Sequence, residues 1–266
     1  MEMEQIPDKS LRIYQCEDSA DGILSAVYEA GISGYGHRYI RIEPQSIHAQ
    51  PNYQLFAEYR EVVTDKKHAQ CVLRQIYRLI SPEAYEMVLK ALASAATERG
   101  DAVYQFVTYG FSMGAKVTGA MQLPCVQELF ALARRVANEA HWFHEILRFQ
   151  EVSVEPSVLL AMIEPEAAVL PMVTPHFADR LNTERFVIYE KTHRQAAFYF
   201  PGQEWFIRLL EEEECRQLEQ MWEQEEQYVD LWKTFFEHIC IEERRNPKLQ
   251  RNMAPLKYRK HMTEFQ

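Results

Sequence analysis

The stretch VLLAMIEPEAAVLPMVTPHFADRLNTERFVIYEKTHRQAAFYF, residues 158–200, decides the fold class. VLLAMIEP, RFVIYEK and QAAFYF are short runs rich in β-branched and aromatic residues, the texture of strands. PHFADRL, between the first two, predicts a short helix with Thr174 as cap and Pro175 at its first position. KTHR, residues 191–194, predicts a tight hairpin turn.

Working outward, SLRIYQCEDSADGILSAVYEAGISG at 10–34 reads as strand, turn and helix. Ser19 or Asp21 caps that helix, and Gly31 and Gly34 stop it. RYIRIEPQ alternates as a second strand ended by Pro44. A helix over 64–80 follows, capped by Thr64 or Asp65. Ser81-Pro82 restarts a helix that runs to Gly100. Residues 101–119 are ambiguous, because Gly110, Gly114 and Gly119 weaken a helix. Residues 123–150 form the clearest long helix, with Val126, Leu129, Leu132, Val136 and Phe143 on one broad apolar side. From Gly202 to Ile241 the chain reads as helical again. Strands at both ends of a helical middle predict an α+β protein. Its mixed or antiparallel sheet is built from N-terminal and central-late strands and packed by the long central helical region. A helical C-terminal segment and a basic tail complete the chain. The expected division is an α+β core over 1–200 and a C-terminal piece over 201–266. No period of 20–50 residues repeats, which argues against a solenoid.

Composition narrows the class. The 266 residues are 47% hydrophobic and 26% charged, as in globular proteins. No apolar run approaches membrane-spanning length. MEMEQIPDKS at the start is too acidic and polar for a secretory signal. Cys16, Cys71, Cys125, Cys215 and Cys240 are scattered without a C-x-x-C, which predicts reduced thiols and a cytoplasmic setting. No metal and no cofactor are assigned. Walker A, G-x-G-x-x-G, G-x-S-x-G and zinc-deaminase signatures are missing from the sequence.

Three places carry candidate chemistry. In EAHWFHEILRF, His141, His144 and Arg148 fall at i, i+3 and i+7, and Glu145 can orient His141. Such a set can transfer protons or hold a phosphate. It equally suits histidines hydrogen-bonded at a core edge. In TPHFADR, His176, Asp179 and Arg180 fall at i, i+3 and i+4, with a helix start that favours anions. A nuclease or nucleoside-processing site could use them, and so could a plain structural brace. The third place is the tail. RRNPKLQRNMAPLKYRK at 244–260 holds seven Lys or Arg and no acid, on a chain of net charge −10. Arg244, Arg245, Lys248, Arg251, Lys257, Arg259 and Lys260 suit successive phosphates, and Tyr258 suits stacking on a base. The Glu-rich run at 211–226 would serve as an internal partner for the same charges.

Together, DGILSAVYEA (21–30), RRVANEAHWFHEILRF (134–149), MIEPEAAVL with TPHFADRL (162–181) and IEERRNPKLQRNMAPLKYRKHMTEF (241–265) give the chain a family likeness. It resembles the radical-SAM-linked "probable DNA metabolism" family, built around a domain of unknown function. Relatives commonly accompany a putative DNA-modification or repair radical-SAM protein, and some are fused to a uracil-DNA-glycosylase-like domain. The resemblance marks Glu139, His141, Phe143, Arg148 and Phe149, then Glu164, Pro165, His176, Phe177, Asp179 and Arg180. It also marks Arg244, Arg245, Asn246, Pro247 and Gln250, and leaves His144 as incidental. It implies a DNA-repair or modification setting and no mechanism.

The leading expectation is therefore a DNA-associated accessory protein working with a separate radical-SAM enzyme. That partner must supply the cluster, since these cysteines lack the CxxxCxxC spacing. The alternatives are an enzyme acting on a nucleic-acid phosphodiester or damaged nucleoside through His141, His176, Asp179 and Arg180, and a protein-interaction module with no nucleic-acid contact.

Overall fold

A computed structural model describes residues 9–45, 53–152, 157–223 and 255–262. The chain forms two compact units, residues 1–136 and 137–266.

In unit 1, β1 (Leu11–Glu17) leads through a tight turn into α1 (Ala20–Ile32). The Ser19 side chain accepts from the Gly22 amide, as a helix cap should. β2 (Ile40–Gln45) and β3 (Ala57–Glu61) both lie parallel to β1, in the order β2-β1-β3. Pro44 sits inside β2 rather than ending it, which is tolerated because β2 is an edge strand. α2 (Lys66–Gln75) is capped by Asp65, and its last turn widens to a π turn over Ile76–Ile80. Ser81 caps α3 (Pro82–Leu92), with proline at its start as expected.

α3 stops at Leu92 instead of reaching Gly100, and α4 (Arg99–Met113) occupies the stretch that its glycines had left ambiguous. At Gly110 a Cβ would sit 2.5 Å from Ile80, so that glycine marks a close helix contact rather than a helix break. Buried Arg99 donates to Asp18 at 2.6 Å, tying α4 to the β1–α1 turn. The core of unit 1 gathers Tyr14, Ile23, Leu24, Ile40, Ile42, Val72, Val88, Phe106 and Leu129.

The unit boundary falls within α5 (Pro124–Ile146). α5 ends four residues earlier than the expected helix over 123–150. Residues Gln150–Val152 form β4, an edge strand antiparallel to β5 (Val158–Ile163). β6 (Phe186–Glu190) runs parallel to β5 across the crossover helix α6 (Leu170–Arg180). β7 (Gln195–Tyr199) returns antiparallel through the predicted turn, where Arg194 takes φ +52°. β8 (Phe206–Leu209) closes the order β4-β5-β6-β7-β8, and α7 (Glu212–Glu223) follows.

The α+β class stands, with a parallel N-terminal sheet and a mixed C-terminal sheet. The N-terminal and later strands thus lie in two sheets, not one. The helix expected from Gly202 is interrupted by β8, and the rest of it, 224–241, lies outside the described residues. α7 lays Cys215, Leu218, Met221 and Trp222 against Leu160, Met162 and Tyr189 of the C-terminal sheet. Among the described residues no helix is long and apolar enough to cross a membrane.

Candidate functional site: a histidine patch and two buried carboxylates

α6 begins at Leu170, so Thr174 lies within the helix rather than capping it, and Pro175 sits in its interior. Proline removes one backbone donor there and crowds the carbonyl four residues back. The expected anion site at a helix start beside His176 therefore does not exist. His176, Asp179 and Arg180 are nonetheless exposed together on this helix. Asp179 pairs with neither Arg180 nor His176, as no such hydrogen bond or ion pair is present.

The two histidine segments do meet. His144 of α5 stacks on His176 of α6, with ring centroids 4.5 Å apart and planes 27° from parallel. His141 stands edge-on to His144 at 6.5 Å, and its Nε2 lies 3.2 Å from the Glu145 carboxylate. His144 Nε2 donates to the Met172 carbonyl at 3.2 Å. A carbonyl only accepts, so this bond places the proton of neutral His144 on Nε2 and leaves Nδ1 as acceptor. Burial, and the neighbouring His176 and His141, hold the His144 imidazolium below its ordinary pKa. His144, outside the family pattern, is thus the ring that joins the other two. Its i+3 spacing from His141 was legible, but the contact across 32 residues to His176 was not.

Arg148 donates to the carbonyls of Glu145 and Leu147 at the end of α5, so it also serves the helix terminus. Phe149 and Phe177 pack edge-to-face at 5.2 Å, and Phe149 reaches Phe186 at 5.6 Å. These two marked aromatics anchor α6 to the sheet.

Two buried carboxylates hold the loop that enters α6. Glu139 accepts from the amides of Glu166 and Ala167 at 3.0 and 2.9 Å, and from the Tyr258 hydroxyl at 2.9 Å. Glu190 is fully buried and hydrogen-bonded to His193, the nearby Leu170 amide also favours its carboxylate, and Oε2 has no hydrogen-bond partner. Residue type alone does not announce this pair: Glu139 reads as a helix-surface acid, and Glu190 as the polar end of a strand.

Burial raises the Glu190 pKa against the opposing pull of His193, with Glu139 adding to the rise. A raised acid contributes stability that is complete below the ordinary carboxylate pKa and is lost as pH rises through the folded value. Glu190→Gln should therefore gain on the wild type as pH rises from about 5 to 8, a window that starts just above the ordinary carboxylate pKa. Urea midpoints at the two pH values measure this, and a pH-independent difference would contradict it.

The described part of the tail packs onto unit 2. Tyr258 is buried, edge-on to Phe143 at 5.2 Å, and burial pushes its phenol up to about 12. As placed, its ring is not presented to a base. Lys257 reaches Glu166 at 2.9 Å; burial alone would lower its ammonium pKa, but hydrogen bonds to Tyr258 and Glu166 hold it up. Of the acids expected as internal partners, Glu214 pairs with Arg208 and Glu213 with Arg216. Arg259 lies half-buried in the same turn, and Lys260 is described in its backbone only. Arg244, Arg245, Asn246, Lys248, Gln250 and Arg251 lie outside the described residues.

The C-terminal unit is thus a mixed-sheet module with a crossover helix that carries an ionisable surface patch. Residues 97–264 match the model of the domain of unknown function DUF4130, and the chain belongs to that family. No curated protein matches the chain. Among the described residues no group of three or more histidine, cysteine or acidic side chains is arranged to hold a metal.

Proposed function

We propose that this chain is an accessory protein of DNA repair or modification that works with a separate radical-SAM enzyme. In this reading its C-terminal unit touches the nucleic-acid backbone. The carrying observation is the meeting of His141, His144 and His176 on one surface of that unit. Arg180, one turn along α6 from His176, adds a permanent cation that is exposed. Imidazoles and a guanidinium are suited to phosphate oxygens. The chain's net charge of −10 repels a polyanion at long range, so contact must come from local groups of this kind. The radical-SAM partner follows from the family likeness and from cysteines too scattered to bind a cluster.

DNA binding measured by fluorescence anisotropy across a salt titration should weaken steeply with salt. Replacing Arg244, Arg245, Lys248 and Arg251 together by alanine should flatten the slope by up to about one unit per lost phosphate contact. Arg180→Gln should flatten it further. The reading fails if no DNA binding is found at low salt, with or without the co-purified partner.

A second reading, an enzyme acting on a phosphodiester or damaged nucleoside, is favoured by the contact of His144 with His176 and of His141 with Glu145. These bring acid–base groups within reach of one another. Turnover of DNA by the chain alone would promote it over the accessory role.

A further inference from the structure

We infer that the His144–His176 stack is a proton-loaded phosphate site: it takes a nucleic-acid phosphodiester together with a proton. This rests on the nucleic-acid reading above. Two imidazoles stacked face to face at 4.5 Å are compatible while neutral. A positive charge on either ring disfavours one on the other, because like charges at this separation repel. The neighbours on α5 are His141, paired with Glu145, and Arg148. Those on α6 are His176, Asp179 and Arg180. The one carboxylate of the α6 group, Asp179, is exposed and unpaired with His176, while the Glu145 carboxylate is engaged by His141. Among the described residues no anion is therefore built against the stack to hold it charged.

A phosphodiester set against the two ring edges would supply the missing charge. His144 donates from Nε2 to Met172, so the new proton goes to Nδ1, where it can serve a phosphate oxygen. His176, on the exposed side of the stack, can offer a second N–H, with Arg180 one turn away. Anion binding and proton binding then assist each other, and the coupling is reciprocal. The site would be weak at slightly alkaline pH and strengthen as pH falls through the histidine range. An arginine cluster, charged at every accessible pH, would show no such dependence.

The test uses the full-length chain and a fluorescein-labelled single-stranded oligonucleotide, at constant ionic strength and at pH 7.5, 6.5 and 6.0. Wild-type affinity should rise by about tenfold across this range, the scale expected for uptake of about one proton near the ordinary histidine pKa. His144→Gln and His176→Gln should each remove most of the rise, so that the affinities of each variant at pH 7.5 and 6.0 differ by no more than about twofold, the scale of one weak contact. His68→Gln, in unit 1, controls for histidines elsewhere and should keep the rise. A histidine NMR titration should show two wild-type imidazoles moving to higher pKa when the oligonucleotide is added. Binding with equal pH dependence in wild type, His144→Gln and His176→Gln would overturn this inference and leave the nucleic-acid reading intact. Absence of binding at every pH and at low salt would overturn both.

Discussion

Glu139→Ala is expected to destabilise the C-terminal unit by about 3–5 kcal/mol, the scale for stripping a buried charged acceptor from its donors. The carboxylate takes three donors from two distant segments: the amides of Glu166 and Ala167, and the Tyr258 hydroxyl. Without it, three polar hydrogens are left facing a space that alanine does not fill. Tyr258→Phe removes only one of these bonds and should cost about 1.5–3 kcal/mol, the range for a hydrogen bond to a charged group. Urea unfolding monitored in the full chain measures both. Equal effects from the two substitutions would mean that the loop amides find other partners. The Glu139→Ala loss should also loosen α6, because the restrained loop leads directly into that helix. The histidine stack would then weaken although neither histidine had changed.

Gly22→Ala should have the second large effect, and helix propensity predicts its sign wrongly. Alanine is favoured over glycine inside a helix by about 1 kcal/mol. A Cβ on Gly22, however, would lie 2.4 Å from the backbone oxygen of Glu17. That oxygen belongs to β1, which is paired on both sides, so it cannot swing away as a side-chain tip would. Overpacking against backbone costs about 3 kcal/mol, which outweighs the propensity gain. Gly31, near the other end of α1, has nothing within 4 Å of its added Cβ. Gly31→Ala should therefore stabilise the chain by about 0.5–1 kcal/mol. Opposite shifts in melting temperature for the two variants are the expected result. A stabilised Gly22→Ala would show that the strand and helix separate at little cost.

Local rules carried the sequence reading wherever structure is local. The Ser19, Asp65 and Ser81 caps, the Pro82 helix start and the 191–194 turn all follow from a few adjacent residues. The failures came where a distant partner decides. AEYRE, residues 57–61, has no strong strand pattern of its own, yet β1 gives it a full set of ladder partners. FIRL at 206–209 lies in an acidic stretch that reads as helix until β7 pairs with it. Gly110 argued against a helix until Ile80 filled the space left by the missing side chain. Sheet membership is likewise not a local property, so alternation could locate strands without dividing them between two sheets. In the candidate site, the helical spacing of His141 with His144, and of His176 with Arg180, was readable. The stack between the two sets was not, since it depends on how α6 crosses between β5 and β6. The buried carboxylates were hidden for a related reason. Their donors include backbone amides, which every residue except proline possesses and no residue name reveals.

The parallel N-terminal sheet has a consequence for synthesis. No two of its strands are joined by a hairpin, so none of its pairings can form from neighbouring residues alone. The Asp18 brace waits for Arg99, 81 residues later. The core that covers Tyr14 and Ile40 includes Leu129 and Leu132. During translation, β1 must emerge and remain without its final packing until the first half of α5 has left the ribosome, several seconds later at about 5–20 residues per second. The β6–β7 hairpin, by contrast, needs only its four-residue turn and can close within about 1–10 μs. The order of synthesis therefore exposes the slower-pairing unit first, and the exposed strands of the nascent N-terminal sheet are where a chaperone would have most to protect.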